Sequence, residues 1–265
     1  MQGSRLRLLV VSDTHNAWDN LDKAARLAPL FDALLVTGDL GLYNHETRAV
    51  TEMEAEHDLD AALRRLEQGH ERPVFFLPGN HDAPVSMNEP KKRRFGARAV
   101  NLHDEACVPL AEGLALAGLG GSVPAYSNGY IVWSGFPFTE HQFGERLEAL
   151  WRRAHAQLPE GQQLLLATHV GPAEVSTTIS LKDPCAPIDS GSVNLRRLLN
   201  DPHLQEHVLL NVHGHTHDAS GSARVGRVTV LNPGALLEGR YAIVELRRPP
   251  GGRWSVHEIA ALNLA

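Results

Sequence analysis

The sequence has little cysteine, no long apolar run and no excess of basic charge. Cys107 and Cys185 are the only cysteines among 265 residues, too few for a disulfide framework or a cluster of thiolate metal ligands. The apolar run at residues 6–11 is too short for a secretory signal and is not followed by a small-residue cleavage site. No run approaches the roughly 20 apolar residues that span a bilayer. We therefore expect a cytoplasmic protein with no membrane segment.

The charge balance is mildly acidic. Lysine and arginine number 25 and aspartate and glutamate 31, which gives a formal net charge of −6. Proteins that coat nucleic acid usually carry a strong basic excess, so nucleic acid is a possible partner but not a favoured one. The basic run at residues 91–94 is interpreted as a solvated face. Its alternative role is a patch that steers an anionic substrate. The oligomeric state stays open.

Short apolar runs alternate with amphipathic stretches in the first third of the chain. Residues 6–11, 33–37 and 74–77 are predicted strands, because they are brief and rich in β-branched residues or leucine. Residues 18–30 and 46–68 are predicted helices between those strands. Successive strand–helix–strand units predict a parallel sheet with right-handed crossovers.

The rest of the chain adds one long helix and many short strands. The helix is predicted at residues 139–156. The strands are predicted at residues 114–119, 164–168, 208–212, 223–225, 228–231, 241–246 and 254–259, the last four separated by glycine turns as in an antiparallel set. This many strands requires two sheets with helices on their outer faces. Because no linker or repeat interrupts the pattern, we expect a single domain over residues 1–265.

Polar residues of the kind that bind metals follow five of the predicted strands, in a chain that contains 15 histidines. In chain order they are Asp13, His15, Asp39, Asn80, His169, His213, His215 and His217. The carboxyl ends of parallel strands meet at one edge of a sheet, where ligands bind. The sequence therefore predicts that most of these side chains lie close together.

The spacing and chemistry of these residues indicate a metal site. In extended backbone, residues i and i+2 point the same way, so Asp13 with His15, and His215 with His217, can each share one target. Aspartate, asparagine and histidine without thiolate suit Mn²⁺, Fe or Zn²⁺. These candidate ligands are more than one tetrahedral ion can bind, and their number suits two ions bridged by a carboxylate. Three glycines that allow a tight turn or a close backbone approach precede polar residues of this set; they are Gly38, Gly79 and Gly214.

Five sequence blocks resemble those of the calcineurin-like metallophosphoesterases. They are Asp-x-His at 13–15, Gly-Asp at 38–39, Gly-Asn-His-Asp at 79–82, the lone His169, and Gly-His-x-His at 214–217. Each block occurs often by chance, but here all five stand in the family's order and cover most of the chain. The resemblance implies an α/β fold, a four-layer αββα sandwich of two mixed β-sheets flanked by helices.

The resemblance also implies a pair of metal sites and a pair of catalytic residues. The ligands would be Asp13, His15 and His217 for one ion, Asn80, His169 and His215 for the other, and Asp39 as the bridge between them. The ions would be divalent, with Mn²⁺ preferred and Fe or Zn²⁺ as alternatives. His81 would lie near the leaving-group oxygen, oriented by Asp82, and would not be a ligand.

A hydrolase of phosphate esters is the function that the resemblance implies. Two adjacent ions neutralise the phosphate oxygens and lower the pKa of a shared water from 15.7 toward about 7, which makes a bridging hydroxide available as nucleophile. We expect a phosphodiesterase for small or nucleotide-type substrates, because no insertion is large enough for a capping or nuclease domain. The alternatives are a phosphomonoesterase, a metal-dependent nuclease and a catalytically silent binding scaffold. A scaffold would be expected to lose ligands, and this chain keeps them all.

Two further features are interpreted as follows. His213 has the same i, i+2 spacing from His215 as His215 has from His217, so spacing alone does not exclude it as a ligand. The family pattern, in which glycine directly precedes the first ligand, identifies His215 and His217 as the ligands. His213 is therefore interpreted as structural. The aromatic segment at residues 126–138 is either core or a wall of the substrate cleft that stacks on a base. The remaining histidines, among them His155, His203 and His207, are interpreted as ordinary.

Overall fold

The structure is a computed structural model that describes residues 3–87 and 94–265. Its strands are β1 (Ser4–Val11), β2 (Ala33–Val36), β3 (Val74–Phe76), β4 (Val100–Asn101), β5 (Glu105–Ala111), β6 (Leu114–Leu119), β7 (Ala125–Ser127), β8 (Tyr130–Trp133), β9 (Gln163–Thr168), β10 (Ile179–Ser180), β11 (Ile188–Asp189), β12 (Val208–Val212), β13 (Gly221–Val225), β14 (Val228–Asn232), β15 (Arg240–Arg248) and β16 (Ser255–Asn263). Its α-helices are α1 (Trp18–Ala25), α2 (Glu52–Glu67), α3 (Glu140–Gln157), α4 (Val193–Leu199) and α5 (Pro202–Gln205). Of the basic run at residues 91–94, only Arg94 lies within the described residues.

Helix α2 begins six residues later than the predicted start at residue 46. Thr51 is its N-cap: the Thr51 hydroxyl accepts from the Glu54 N–H at 3.2 Å, and the Glu54 carboxylate accepts from the Thr51 N–H at 2.9 Å. This reciprocal pair satisfies two backbone donors at the helix start. Before it, the Asn44 side chain accepts from the N–H groups of Glu46 and Thr47. Those bonds hold a turn, so the prediction of helix at residues 46–50 is wrong.

Helix α1 ends at Ala25, although the amphipathic pattern predicted helix to residue 30. Pro29 lacks an N–H and its ring crowds the carbonyl four residues earlier, which an α-helix does not tolerate in its interior. The chain takes a separate 3₁₀ turn at Ala28–Leu30 instead. Helix α3 agrees with its prediction to within one residue at each end, with Thr139 as the N-cap of a second reciprocal capping pair.

The first large sheet has the strand order β16-β15-β1-β2-β3-β4. β1, β2, β3 and β4 run parallel, and the hairpin of β15 and β16 pairs antiparallel with β1. The helices α1 and α2 supply the first two crossovers between these parallel strands. The parallel sheet predicted from the first third of the chain is thus confirmed and extended by the last two strands.

The second large sheet has the order β13-β14-β12-β9-β6-β5. β6, β9, β12 and β14 run parallel, and β5 and β13 are antiparallel edge strands. The C-terminal strands were predicted as one antiparallel set. They form two antiparallel hairpins, β13–β14 and β15–β16, which belong to different sheets.

Three apolar cores separate the layers. Side chains from the facing surfaces of both large sheets, such as Leu8, Leu35 and Leu165, form the central core. The other face of the first sheet packs against α1 and α2, for example through Leu21 and Leu59. The other face of the second sheet packs against α3, α4 and α5. The predicted four-layer αββα sandwich of two mixed sheets is confirmed, while the single-domain assignment stays a prediction.

A small third sheet lies outside this sandwich. Its order is β10-β11-β7-β8, all antiparallel. β7 and β8 form a hairpin within the predicted aromatic segment, and β8 carries the exposed side chains of Tyr130, Ile131 and Val132. The aromatic segment is therefore partly strand, with an apolar surface open to solvent.

Candidate metal centre

The carboxyl ends of parallel strands from both large sheets meet at one site. Strands β1, β2 and β3 of the first sheet and strands β9 and β12 of the second lead into it. The side chains that follow these strands are Asp13, His15, Asp39, Asn80, His169, His215 and His217. All seven residues selected from the sequence thus lie on loops at the same end of the sandwich.

Four of these residues form a first donor group. One ligand atom each from Asp13, His15, Asp39 and His217 lies within 4.8 Å of the others. The Nε2 atoms of His15 and His217 are 3.1 Å apart, and His217 Nε2 lies 3.4 Å from an Asp13 oxygen. His15 Nδ1 donates to the Gly41 carbonyl at 3.2 Å. That bond fixes the tautomer and leaves the Nε2 lone pair of His15 facing the group.

Asp39, His169 and His215 form a second donor group within the same 4.8 Å limit. His169 Nε2 lies 3.2 Å from Asp39 Oδ2 and 3.1 Å from Asn80 Oδ1. The other ring nitrogen of His169 donates to the Thr37 carbonyl at 2.7 Å. Asp39 therefore belongs to both groups, and Asn80 borders the second.

The donor set fits two divalent cations. His215 Nε2 is buried and has no hydrogen-bond partner among the described residues, although buried polar atoms normally have one. The two Nε2 atoms of His15 and His217 face each other at hydrogen-bond distance. Nitrogen lone pairs and carboxylate oxygens aimed inward in this way are what a cation would satisfy. The shared carboxylate of Asp39 places the two groups side by side.

Buried carboxylates and imidazoles face one another in this centre and shift one another's pKa values. Burial disfavours the Asp39 carboxylate, but the imidazoles of His169, His81 and His15 outweigh it, so the pKa of Asp39 lies well below its usual range. Burial likewise disfavours the His169 cation, but Asp39 outweighs it and raises the pKa of His169 to about 9. Burial lowers the pKa of His215 well below its usual value. Burial disfavours the His217 cation as well, but Asp13 outweighs it and raises the pKa of His217. Without a cation, His169 and His217 thus favour the protonated state and His215 is neutral.

The backbone around the donors is not extended, and His215 and His217 fall in different donor groups, so the prediction that extended geometry lets this pair share one target is wrong. Asp13, His15, Asp39 and His215 have φ values of 52°, 43°, 53° and 70°. Residues other than glycine adopt this left-handed region rarely, at a cost of order 1–3 kcal/mol each. Such residues cluster at functional sites, where the surrounding structure enforces them. Four donors that share this conformation are typical of a preorganised ligand set.

Two motif glycines make room for the carboxylates. A Cβ atom on Gly79 would overlap with the Asp39 carboxylate. A Cβ atom on Gly214 would overlap with the Ser12 hydroxyl and lie 2.5 Å from an Asp13 oxygen. The close backbone approach that the sequence predicted is therefore an approach to the ligand side chains themselves.

His81 lies beside the first donor group, with its ring centroid 5.3 Å from that of His15. Its Nδ1 donates to the Tyr43 carbonyl at 2.6 Å, which leaves the Nε2 atom of this half-buried ring for other partners. Asp82 was expected to orient His81, but its two carboxylate oxygens accept from the N–H groups of Gly41 and Gly79 at 2.9 and 2.8 Å. The Tyr43 carbonyl therefore orients the ring, and Asp82 fixes the loops that carry Asp39 and Asn80.

His213 is buried and differs from the two donors that follow it. Its Nε2 accepts from the Thr177 hydroxyl at 3.0 Å, and its Nδ1 lies 3.0 Å from the Gly214 carbonyl. Burial lowers its pKa to about 4, so the ring is neutral. Both nitrogens of His213 have protein partners, unlike Nε2 of His215. This agrees with its interpretation as a structural residue.

Trp133, in the aromatic segment at residues 126–138, contacts a candidate ligand. Its indole stacks on the His215 ring, with centroids 4.4 Å apart and planes inclined by 26°. The aromatic segment also brings Phe136 onto His45 at 4.7 Å. One strand of the segment is thus placed directly against a candidate ligand, and alternation of aromatic and small residues alone could not identify which aromatic makes this contact.

Comparison with known protein families gives a match over most of the chain. The profile of the family described as calcineurin-like phosphoesterase matches residues 6–219, which contain every candidate ligand. This chain belongs to the calcineurin-like phosphoesterase family. The resemblance inferred from the five sequence blocks is confirmed. Family membership makes the chain a metallophosphoesterase with a divalent-metal site, while the identity of the metal and the role of each donor are proposals.

Several solved structures share the fold of this phosphoesterase at low sequence identity. A dimetal phosphatase from Danio rerio is 13% identical over 98% of this chain and 99% of its own, with a TM-score of 0.60. The protein TT1561 of Thermus thermophilus is 20% identical over 98% of this chain and 99% of its own, with a TM-score of 0.58. A putative 5′-nucleotidase from Staphylococcus aureus is 13% identical, with a TM-score of 0.56; 98% of this chain matches 54% of that one.

Two further findings are negative. A search of curated proteins finds no significant match to this phosphoesterase. None of the helices in the described part of the chain has the length and apolarity needed to cross a bilayer.

Proposed function

We propose that this phosphoesterase is a binuclear metal-dependent phosphodiesterase that acts on small or nucleotide-type diesters. The observation that carries the proposal is the position of Asp39, whose carboxylate belongs to both donor groups. A single carboxylate between two sets of imidazole and carboxylate donors suits two adjacent cations. We assign Asp13, His15 and His217 to one cation and Asn80, His169 and His215 to the other, with Mn²⁺ as the preferred ion.

The residues around the centre have separate tasks in this proposal. The two cations, when bound, would supply positive charge to the phosphate oxygens and lower the pKa of a water molecule. The Tyr43 carbonyl accepts from Nδ1 of His81 and fixes the ring, so Nε2 is the nitrogen that would donate a proton to the leaving-group oxygen when the ring carries one there. Asp82 holds the loops of Gly41 and Gly79 and thereby positions Asp39.

A preference for diesters rests on the apolar surface beside the centre. A phosphodiester presents two organic groups, one of which departs while the other stays. Trp133, whose indole stacks on His215, offers an aromatic surface for such a group. A nucleobase is one group that stacks on this surface, and the name of the Staphylococcus aureus neighbour also points to nucleotides.

The experiment compares diesters and monoesters on metal-depleted and reloaded protein. Chelator-treated protein is reloaded with Mn²⁺ or Mg²⁺ and tested on bis(4-nitrophenyl) phosphate, 4-nitrophenyl phosphate, cyclic nucleotides and DNA. We expect no turnover without metal, higher turnover with Mn²⁺ than with Mg²⁺, and a higher kcat/KM for the diesters. Asp39→Asn should abolish turnover, whereas Asp19→Asn, at an exposed aspartate outside both groups, should not.

Different outcomes would reject different parts of the proposal. A higher kcat/KM for the monoester would make the protein a phosphomonoesterase, and a preference for DNA would make it a nuclease. Absence of turnover on every ester by metal-loaded protein would favour a binding scaffold. The cytoplasmic location expected from the sequence stays a prediction.

A further inference from the structure

Three histidines cluster on the surface away from the phosphoesterase centre. His155 lies in the last turn of α3, His203 in α5, and His207 in the turn before β12. One ring nitrogen from each lies within 4.8 Å of the other two. His155 and His203 are exposed and His207 is half-buried, so the cluster is open to solvent.

The local backbone explains why the three rings meet. His203 and His207 are four residues apart on a continuous helical turn, in which the Glu206 N–H donates to the His203 carbonyl and the His207 N–H to the Leu204 carbonyl. Side chains four apart on such a turn lie on one side. Helix α3 brings His155 against that side, with its ring centroid 4.6 Å from that of His203 and 5.2 Å from that of His207.

The cluster has the chemistry of a metal site. No ring nitrogen of the three has a hydrogen-bond partner among the described residues. Three imidazoles without a carboxylate suit Zn²⁺, Ni²⁺ or Cu²⁺ better than Mn²⁺ or Mg²⁺.

We propose that His155, His203 and His207 bind one Zn²⁺-type transition-metal ion, separate from the phosphoesterase centre. The ion joins the end of α3 to α5, two segments distant in sequence. Because it binds only when these segments are packed together, it stabilises the folded chain. The three histidines fill three positions of a tetrahedral ion and leave the fourth open to water.

A tryptophan next to the cluster supplies a direct readout. The Trp151 ring lies 5.4 Å from the His155 ring, 6.2 Å from that of His203 and 6.0 Å from that of His207, measured between centroids. Cu²⁺ bound this close quenches indole fluorescence. Trp133 lies instead at the phosphoesterase centre, so the two sites can be followed by different tryptophans.

The experiment titrates Cu²⁺ into Mn²⁺-saturated protein while fluorescence is recorded, and counts bound Zn²⁺ by equilibrium dialysis. We expect one equivalent of Zn²⁺ beyond those held by the phosphoesterase centre, quenching of Trp151 and a higher Tm. His155→Gln and His203→Gln should each weaken binding by at least about tenfold, because even the loss of a group that only orients a metal ligand costs about 10–100-fold. Trp151→Phe should remove most of the quenching and still bind the additional equivalent of Zn²⁺.

His141→Gln is the matched control, since His141 is an exposed histidine on the same helix, outside the cluster. It should leave binding, quenching and Tm unchanged. Ester hydrolysis with Mn²⁺ should be unchanged in all the histidine variants of this experiment. The proposal is overturned if wild type binds no additional equivalent, or if folded His155→Gln and His203→Gln bind Zn²⁺ and quench as wild type does. If Cu²⁺ instead displaced Mn²⁺ from the phosphoesterase centre, it would quench Trp133, and it would do so equally in wild type and in the histidine variants.

Discussion

His213 and His215 are separated by one residue, yet the structure predicts opposite effects when each is replaced by leucine. Leucine is close to histidine in volume and has no polar side-chain atom. In His213→Leu, the Thr177 hydroxyl loses the ring nitrogen with which it bonds at 3.0 Å, and the Gly214 carbonyl loses its contact with the other nitrogen. In His215→Leu, the buried Nε2 that disappears has no partner to lose. The first variant should therefore lose stability and the second should lose metal.

The magnitudes follow from the burial of these groups. His213 is 0% exposed and Thr177 is 1% exposed. The Gly214 carbonyl still accepts from the Thr216 N–H at 2.8 Å, so only the Thr177 hydroxyl is left without its partner. Since a buried polar group left without a partner costs about 1–3 kcal/mol, the free energy of unfolding should fall by about 1–3 kcal/mol in His213→Leu. At about 2–4 °C per kcal/mol for a chain of this size, that corresponds to a fall in Tm of about 2–12 °C. The metal-free His215→Leu variant should lie within about 1 kcal/mol of wild type, because an unpaired polar atom is removed.

Thermal unfolding in chelator and Mn²⁺ counting after dialysis separate the two effects. His213→Leu should unfold earlier and retain both ions, whereas His215→Leu should unfold normally and lose at least one. His213→Gln, whose amide oxygen can accept from Thr177, should recover part of the lost stability. The reasoning fails if His213→Leu releases metal at unchanged stability, or if His215→Leu keeps two ions with wild-type affinity.

Three further predictions concern the same centre. Gly79→Ala should lose Mn²⁺ and turnover, because its methyl group displaces the Asp39 carboxylate; two bound ions in a folded variant would contradict this. His81→Ala should keep both ions and lose about 10²–10⁴-fold in kcat, and loss of a stoichiometric ion would make His81 a ligand instead. Because the pKa of metal-free His169 is about 9, a cation must displace its proton near pH 7.5. Mn²⁺ affinity should therefore weaken as pH falls, with proton release visible by calorimetry in buffers of different ionisation enthalpy; a pH-independent affinity without proton release would refute it.

The sheets and the positions of the ligands were predictable because both depend on short local patterns. Strand β2 is a continuous apolar run and β9 contains one, and a polar residue after such a run marks the sheet edge. The helix limits were predictable only in part. Thr51 and Glu54 have the spacing of a capping pair, which could have placed the start of α2 correctly. Pro29 could have shortened α1.

Other features depend on contacts between distant segments and have no local signal. The carbonyl that orients His81 belongs to Tyr43, and any residue type has a carbonyl to offer. The stacking of Trp133 on His215 requires the small third sheet to fold over the end of the sandwich. His155 and His203 are likewise unremarkable in the sequence, because α3 and α5 meet only in the folded chain. These contacts were not predictable because the residues that make them lie far apart in the sequence.

The donors of the phosphoesterase centre run from residue 13 to residue 217 and come from both large sheets. During synthesis, the first sheet's donors leave the ribosome long before those of the second. A nascent chain that stops short of β12 holds Asp13, Asp39 and Asn80 but neither of the last two histidines. Both donor groups are therefore complete only once synthesis has passed residue 217, because His215 belongs to one group and His217 to the other.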